Sequence, residues 1–333
     1  MDRTVEHDPA AIAGPAPQRR LSRRDFFALT SAVACAGASG AVWAEPASAA
    51  QTPFAGYKGT LCLFSKPLPK MDWRRLAQAA KRVGFGGIDL TVRPEGHVRP
   101  ERAAEDLPKA VAAIREEGLE VPMITTALTS AADPAARPIL ATAARLSIPF
   151  FKPGYYQYKL VDVRRELDAA GVEFRGLADL ARQCGIQAGF HNHEEYIGAP
   201  VWDTAKILEP LDPAWAGFYF DPRHATAEGG VGGWKIATNL VTPRLKMVAV
   251  KDFRWEKTAK GWTDANCPLG EGMVNWKYFF GKLAGAGFHG PISLHLEYEV
   301  TGPSAEKEQN ILQALERDLG FLKARLSEAY EKV

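Results

Sequence analysis

Short apolar segments alternate with longer amphipathic segments along most of this chain. The short segments have the length and composition of buried strands, and they cover residues 60–64, 87–91, 121–125, 149–152, 186–191, 216–220, 247–251 and 291–296. The longer segments carry apolar residues three and four positions apart, which predicts helices over 73–83, 103–117, 135–146, 161–184, 276–286 and 305–326. Several of these helices are followed by a glycine that ends a helix before a strand, namely Gly84, Gly118, Gly185 and Gly287.

Eight strands that alternate with helices over roughly 250 residues predict a (β/α)₈ barrel, also called a TIM barrel. No change in composition and no Ser/Pro-rich linker divides the region, so we predict a single domain over residues 50–333. The alternative is a doubly wound open sheet. It is disfavoured because no G-x-G-x-x-G motif follows the first strand, and because polar residues end many strands rather than those at one switch point.

The N-terminal segment has the three parts of an export signal. A pair of arginines, Arg23 and Arg24, precedes a mildly apolar run over 26–44 that is rich in Ala, Gly and Ser, and an Ala-Ser-Ala sequence ends at Ala49. This pattern resembles a twin-arginine (Tat) signal peptide that is cleaved after Ala49. A folded N-terminal helix and an acylated lipoprotein are the alternatives. The pattern predicts that residues 1–49 are removed, that the Tat translocase exports the chain to the periplasm, and that no stable membrane association remains.

Charge and cysteine content exclude several classes of protein. The 41 Lys and Arg residues nearly balance 39 Asp and Glu residues, and the net charge of +2 provides no basic surface for nucleic acid. Outside the signal segment the cysteines are Cys62, Cys184 and Cys267, an odd number without the paired spacing of a zinc or redox motif. The sequence therefore encodes neither a disulfide framework nor a cysteine metal site.

Histidines and acids gather at the ends of the predicted strands. Four histidines lie at or just beyond the carboxyl ends of three strands, and they are His191, His193, His224 and His295. Asp221 follows the sixth strand and Glu297 the last, so in a barrel these side chains converge at the C-terminal mouth. Imidazoles mixed with carboxylates suit Mn²⁺, Zn²⁺, Co²⁺ or Fe²⁺ better than Mg²⁺ or Ca²⁺. We therefore expect one divalent metal ion there.

Other segments have the character of site loops. Lys152 ends the fourth strand and Tyr155 follows it, a placement that suits sugar hydroxyls or a sugar ring face. Residues 228–233 are rich in glycine, and Glu271 stands between two glycines in a long loop after the seventh strand. Glycine-rich loops allow the backbone to approach a ligand closely.

Five motifs in order resemble those of the sugar phosphate isomerase/epimerase superfamily, the xylose isomerase-like TIM barrels. They occupy residues 190–194 (FHNHE), 220–225 (FDPRHA), 250–253 (VKDF), 268–272 (PLGEG) and 290–298 (GPISLHLEY). The resemblance implies one divalent metal ion at the barrel mouth, held in this superfamily by Glu, Asp, His and Glu on four successive strands. Asp221 and His224 match the D-x-x-H motif. The chain departs from the pattern where His191 stands in place of the first Glu and Ala249 in place of the metal-binding His.

From these observations we assign roles to the candidate residues. The expected metal ligands are His191, Asp221, His295 and Glu297. The expected catalytic residues are Glu297, Lys251 and His193, and the expected substrate contacts are Lys152, Tyr155, His224 and Glu271.

The resulting functional hypothesis is an exported, metal-dependent sugar isomerase or epimerase that acts through an enediolate on a small carbohydrate. The alternatives are a metal-dependent lyase or dehydratase on an oxidised keto sugar, and a periplasmic sugar-binding barrel without catalytic activity. The endonuclease branch of the superfamily is disfavoured by the net charge.

Overall fold

Ten strands and eight α-helices make up the part of the chain that the structure, a computed structural model, describes, which is residues 56–303 and 306–333. The strands are β1 (Leu61–Phe64), β2 (Gly87–Val92), β3 (Glu120–Thr126), β4 (Phe150–Lys152), β5 (Gln187–His191), β6 (Ala216–Phe220), β7 (Leu245–Val250), β8 (Asp252–Thr258), β9 (Gly261–Cys267) and β10 (Ile292–Leu294). The helices are α1 (Trp73–Val83), α2 (Ala103–Glu116), α3 (Ala136–Arg145), α4 (Val163–Cys184), α5 (Val201–Leu208), α6 (Pro222–Val241), α7 (Trp276–Gly285) and α8 (Lys307–Tyr330). The predicted signal segment lies outside the described residues.

Eight of the strands close into a parallel barrel in the order β1-β10-β7-β6-β5-β4-β3-β2. Most of their residues are buried, because one face packs inside the barrel and the other packs against the helices. The predicted TIM barrel is thereby confirmed, and each of its eight strands overlaps a segment expected from the sequence.

Local signals set the ends of the helices. The Asp72 side chain accepts a hydrogen bond from Arg75 N at the start of α1, and Asp162 does the same for Arg165 N at the start of α4. Gly185 ends α4 at φ 86°, in the left-handed region that side chains other than glycine adopt at a cost. These signals turn the chain from helix to strand and keep the barrel strands in register.

Two helices differ from the sequence prediction. Helix α5 was not expected, and α6 covers residues 228–233, which we had expected to form a site loop. Helix α6 is interrupted at Gly230, where φ is 54° and ψ is −150°. The prediction of a loop was therefore wrong: helical segments flank a single break, and the glycines fit that break.

The long loop expected after the seventh strand contains an antiparallel hairpin, β8–β9, which pairs from Asp252 with Cys267 to Thr258 with Gly261. Asp252 is fully buried at its base and accepts hydrogen bonds from Gly270 N, Val274 N and Trp276 Nε1. Asp252 thus fixes the returning chain against the end of β7.

Among the described residues, no helix has the length and apolar character needed to cross a bilayer.

Candidate active site

Alternate residues of the barrel strands form columns that point into the barrel, because side chains two positions apart share a face. One column contains Met247, Ala249 and Lys251. Met247 and Ala249 pack with Met123 and Tyr219 in a buried apolar cluster, and Lys251 follows toward the C-terminal mouth. Ala249, where the resemblance implied a histidine ligand, is therefore part of this packing and offers no ligand atom.

Gly189 makes room for this packing beneath the site. A β-carbon at Gly189 would lie 2.1 Å from Met247 Cε and 3.2 Å from Tyr219 Cβ. His191, two residues further along β5, has its ring centroid 4.7 Å from that of Tyr219. The apolar cluster thus supports the His191 imidazole from below.

Three buried side chains converge at the mouth. The nearest ligand atoms of His191, Asp221 and His224 all lie within 4.8 Å of one another. Asp221 Oδ2 is 3.4 Å from His191 Nε2 and 3.5 Å from His224 Nε2. His224 Nε2 is buried and has no hydrogen-bond partner among the residues that the structure describes, so the cluster contains a nitrogen whose bonding capacity is unused.

The start of α6 orients this cluster. Asp221 is the N-cap of the helix, and its Oδ1 accepts hydrogen bonds from Arg223 N at 2.9 Å and His224 N at 3.3 Å. Oδ2 is left to face the two imidazoles. The same cap places His224 in the first helical turn, where its ring reaches the site.

Protonation states follow from burial and from neighbouring charge. Burial lowers the pKa of His191 and of His224 well below the ordinary value. Lys152 and Lys251 lower the pKa of His191 further, and Lys251 lowers that of His224 further. Burial alone would raise the pKa of Asp221, but the facing His224 and the Lys251 ammonium outweigh it, and the pKa lies below its usual range. The cluster at neutral pH therefore offers two neutral imidazoles and one carboxylate, which are the protonation states that bind metals.

Glu297 and Lys251 form a separate pair beside this cluster. Lys251 Nζ donates to Glu297 Oε2 at 2.6 Å and lies 3.6 Å from Asp221 Oδ2. Lys66 Nζ donates to Glu297 Oε1 at 3.0 Å. Burial raises the pKa of Glu297, but Lys251, His295 and Lys66 lower it more, and it falls well below its ordinary value. Both carboxylate oxygens are thus engaged by ammonium groups.

His295 turns toward the barrel interior. Its Nε2 lies 3.0 Å from the Tyr219 hydroxyl and 4.0 Å from Asp89 Oδ2, and its ring stacks on Phe64. The structure therefore brings His191 and Asp221 together with His224, which we had expected to contact substrate. His295 and Glu297, the other two expected ligands, lie beside these three residues but outside the group whose ligand atoms converge. The His191 and His295 ring centroids are 6.4 Å apart, and His295 Nδ1 lies 4.0 Å from Glu297 Oε1.

Asp89 is a site residue that the sequence reading missed. It is fully buried, and it accepts hydrogen bonds from Thr125 Oγ1 at 2.8 Å, Ser293 Oγ at 2.8 Å and the Tyr219 hydroxyl at 3.4 Å. Burial raises its pKa to about 6. An aspartate in the middle of an otherwise apolar strand segment was the signal that could have identified it.

Lys152 and Tyr155 line another side of the mouth. Lys152 is buried, and its Nζ lies 3.2 Å from the centre of the Tyr155 ring, with no carboxylate of the described residues within ion-pair distance. Burial lowers its pKa well below the ordinary value. The Tyr155 hydroxyl is 3.4 Å from His191 Nδ1. The two residues expected to bind substrate therefore border the histidine cluster.

His193 lies between Tyr155 and His224, with ring centroids 4.8 Å and 4.0 Å away. Its Nδ1 is 2.9 Å from the carbonyl oxygen of Glu194. Because a carbonyl oxygen only accepts, Nδ1 carries the proton, and Nε2 of the neutral ring keeps a lone pair. His193 is partly exposed, so a ligand in the mouth can reach it.

Arg223 joins the hairpin to the site. Its buried guanidinium forms ion pairs with Glu194, after β5, and with Asp264 on β9, and its Nε donates to Asn266 Oδ1 at 3.1 Å. Asn266 Nδ2 in turn lies 3.5 Å from the Glu297 carbonyl oxygen. The base of the hairpin is thus held against both walls of the mouth.

Glu271 lies outside the barrel mouth. It is exposed and lines a surface cleft with Arg254, Tyr298 and Arg317, whereas the buried histidines are not part of that cleft. Its expected contact with substrate in the mouth is not supported by this position. The loop carries Glu271 outward because Asp252 fixes the backbone on either side of it.

Comparisons with solved structures agree on the fold. L-ribulose 3-epimerase superposes with a TM-score of 0.61 at 14% identity, covering 82% of this chain and 96% of its own. D-allulose 3-epimerase from Methylomonas sp. in complex with D-allulose has a TM-score of 0.60 at 16% identity, covering 81% and 98%. A xylose isomerase-like TIM barrel protein from Mycobacterium smegmatis in complex with magnesium has a TM-score of 0.63 at 16% identity, covering 82% and 98%.

A search of curated proteins found no match. The sequence model of one family, the xylose isomerase-like TIM barrel, matches residues 77–325. That match covers most of the chain and includes every residue of the site described above except Phe64 and Lys66. The chain therefore belongs to the xylose isomerase-like TIM barrel family.

Proposed function

We propose that this protein is a metal-dependent isomerase or epimerase of a sugar or sugar derivative. It removes a proton from the carbon beside a carbonyl to form an enediolate, and a proton returns to the neighbouring carbon (isomerase) or to the opposite face of the same carbon (epimerase). The observation that carries the proposal is the convergence of His191, Asp221 and His224 at the C-terminal mouth of the barrel. The solved epimerases of L-ribulose and D-allulose, which share the fold, support the choice of a sugar as substrate.

The donor set fits a divalent metal ion. Two imidazoles and one carboxylate lie within reach of one ion, and the unpartnered His224 Nε2 is a ligand atom that a metal would satisfy. His224 Nδ1 lies 3.1 Å from Arg223 Nη1 and 3.5 Å from Glu194 Oε1. Because Arg223 Nη1 only donates, Nδ1 accepts from it in this geometry. Metal binding at Nε2 would require Nδ1 to carry the proton and to face Glu194 Oε1 instead, as in other sites where a carboxylate orients a ligating histidine.

The donor atoms favour one class of metal ion. Imidazole favours Mn²⁺, Zn²⁺, Co²⁺ or Fe²⁺ over Mg²⁺ and Ca²⁺, which prefer oxygen ligands. One solved relative was crystallised with magnesium. The two imidazoles here lead us to propose one of the four transition metals for this chain. When bound, such an ion supplies a Lewis acid that polarises the substrate carbonyl and its neighbouring hydroxyl.

The chain's own residues bind the substrate and move the proton. Lys152, whose Nζ has no carboxylate of the described residues within ion-pair distance, donates a hydrogen bond to a substrate oxygen, and the Tyr155 ring borders the same space. Lys251 stabilises negative charge that develops on the enediolate oxygen. Glu297 holds Lys251 in place through the 2.6 Å hydrogen bond.

His193 takes the proton from carbon and becomes an imidazolium. In an isomerisation this imidazolium returns the proton to the neighbouring carbon, and in an epimerisation a solvent proton adds to the opposite face of the same carbon. The Nδ1 of His193 is fixed by the Glu194 carbonyl, and its Nε2 carries the lone pair that a base requires. Glu297 is a weaker choice for this role because two ammonium groups hold its pKa well below the ordinary range. We therefore assign proton transfer to His193 and assign Glu297 to positioning.

Solvent deuterium tests the proposed reaction. Metal-loaded protein is incubated in D₂O with a panel of free ketoses and 3-keto sugars, and the sugars are analysed by mass spectrometry and NMR. We expect one deuterium at the carbon next to the carbonyl, with the carbon skeleton intact, and loss of this exchange in His193→Gln. Release of a fragment would identify a lyase instead. Metal-loaded protein that binds sugars without exchange would be a binding protein.

We further propose that the protein works outside the cytoplasm. Arg23 and Arg24 before a mildly apolar run, and the Ala-Ser-Ala sequence that ends at Ala49, support export by the Tat translocase. That route carries folded proteins, which agrees with a site whose metal must be loaded before export.

A further inference from the structure

The β8–β9 hairpin carries two exposed tryptophans beside the mouth. Trp255 is 43% exposed and Trp262 is 67% exposed, although such large apolar rings are usually buried. In the hairpin register Trp255 pairs with Asp264 and Lys257 with Trp262. Because paired residues lie on the same face and alternate residues along a strand share a face, Trp255 and Trp262 lie on one side of the hairpin.

The same face forms the base of the hairpin at the site. The neighbouring pair toward the barrel is Phe253 with Asn266. The ring centroids of Phe253 and Trp255 are 6.0 Å apart, and the Arg223 guanidinium lies 4.7 Å from the centre of the Phe253 ring. The face is therefore continuous from the mouth, at Arg223, outward to the tryptophans.

Polar groups accompany the two rings. Asp264 is directly opposite Trp255, and Lys257 is directly opposite Trp262. Each step of two residues along a strand advances by about 7 Å, so the face extends roughly 14 Å beyond the base of the hairpin. Indole rings that alternate with hydrogen-bonding side chains suit a ligand that has apolar C–H faces and hydroxyl edges, which is the surface of a pyranose ring.

We propose that this face binds a second sugar unit, so that the substrate is a glycoside or disaccharide whose reacting ring enters the mouth. This inference rests on the proposed function, since it assumes that the first ring is a sugar at the histidine cluster. It identifies Trp255 and Trp262 as specificity-determining residues that contact the part of the substrate outside the mouth.

Calorimetric binding with free and glucosylated ketoses tests the proposal. The probes are D-fructose and its glucosylated forms maltulose and isomaltulose, each titrated into the metal-loaded mature protein. We expect at least one disaccharide to bind about tenfold more tightly than D-fructose. Trp255→Ala and Trp262→Ala should each reduce disaccharide affinity by about five- to tenfold and leave the affinity for D-fructose within about twofold.

Matched variants separate ring contact from general damage. Trp202→Ala removes a tryptophan that is 55% exposed at the start of α5, outside the hairpin, and should change neither affinity. Trp255→Phe keeps an aromatic ring and should retain most of the disaccharide affinity.

Other outcomes overturn the proposal. The proposal is wrong if free and glucosylated ketoses bind with equal affinity. It is also wrong if the protein still prefers disaccharides after both Trp255→Ala and Trp262→Ala. If sedimentation shows that the alanine variants convert a dimer to a monomer while disaccharide affinity stays unchanged, the face is a contact between copies. Failure of the proposed function is distinguishable, because it abolishes deuterium exchange with every sugar while the binding comparison can still be made.

Discussion

The two carboxylate oxygens of Asp221 have different tasks. Oδ1 caps α6 by accepting two backbone N–H groups, and Oδ2 faces the imidazoles of His191 and His224. One residue thereby couples the direction of a helix to the geometry of the candidate metal centre. The two tasks can be separated by substitution, because asparagine keeps a capping oxygen and loses the charge.

We expect both Asp221→Asn and Asp221→Ala to bind the metal at least tenfold more weakly, since a tenfold change corresponds to about 1.4 kcal/mol. The metal-free alanine variant should also be less stable than the asparagine variant, by about 1 kcal/mol, because it alone loses the helix cap. Metal titration and urea unfolding measure the two effects. Full metal affinity in the asparagine variant would remove Asp221 from the ligand set.

Glu297 differs from Asp221 because lysines occupy both of its oxygens. We expect Glu297→Gln to keep its metal content and to lower turnover by about 10²-fold, because Lys251 loses the partner that orients it toward the developing oxyanion. Elemental analysis and turnover are measured on the same preparation. Loss of the metal would restore the ligand role that the sequence suggested, and unchanged turnover would exclude any part in the reaction.

At the scale of elements, the sequence predicted the strands well because each barrel strand is a short apolar run bounded by polar residues. It missed β8 and β9 because this hairpin is largely exposed and lacks such a run, although Phe253, Trp255 and Trp262 alternate with polar residues. It missed α6 because glycines obscure the helical pattern, and the break at Gly230 shows why they are present. A pattern of apolar residues identifies what is buried and says less about what protrudes.

Four barrel strands meet at Asp89, which is on β2 and contacts side chains from β3, β6 and β10. Its pKa is raised from the ordinary 3.8 to about 6, so the folded state holds the proton more tightly than the unfolded state. Protonated Asp89 therefore stabilises the folded state fully below about pH 4, and this contribution is lost as the pH rises through about 6. A pKa difference of about 2 corresponds to about 3 kcal/mol.

Asp89→Asn cannot ionise, and the hydroxyls of Ser293 and Tyr219 can rotate to accept from its amide. Between pH 4 and pH 7 the metal-free wild type should therefore lose up to about 3 kcal/mol of unfolding free energy that the metal-free variant keeps. The stability of the variant relative to the wild type rises by that amount. Urea unfolding at several pH values measures this difference. If the unfolding free energies of Asp89→Asn and the wild type differ by the same amount from pH 4 to pH 7, Asp89 does not titrate in that pH range.

At the scale of the whole molecule, the barrel explains how residues separated by more than a hundred positions form one site. The sequence identified the mouth because its histidines and acids follow predicted strands, but it placed His224, which converges with His191 and Asp221, among the substrate contacts. The ligand roles of His295 and Glu297 stay predictions. Strand order alone does not reveal that the His295 ring turns toward Tyr219 and Asp89. It also does not reveal that lysines surround Glu297, since Lys66 follows β1 and lies far away in the sequence.

The proposed export also concerns the whole chain. Replacement of Arg23 and Arg24 by lysine should keep the precursor in the cytoplasm, because the Tat translocase reads the arginine pair. Cell fractionation and the mass of the periplasmic protein test this expectation, and the wild type should begin after Ala49. Normal periplasmic amounts of the double variant would exclude the Tat route.

The central claim is that His191, Asp221 and His224 hold one divalent metal ion at the barrel mouth. The most direct measurement is the metal content per chain, by elemental analysis, of the wild type, His224→Ala and His295→Ala purified side by side. We expect about one transition-metal ion per wild-type chain, loss of that ion in His224→Ala and retention in His295→Ala. Retention in His224→Ala with loss in His295→Ala, or a wild type that takes up no metal, would contradict the claim.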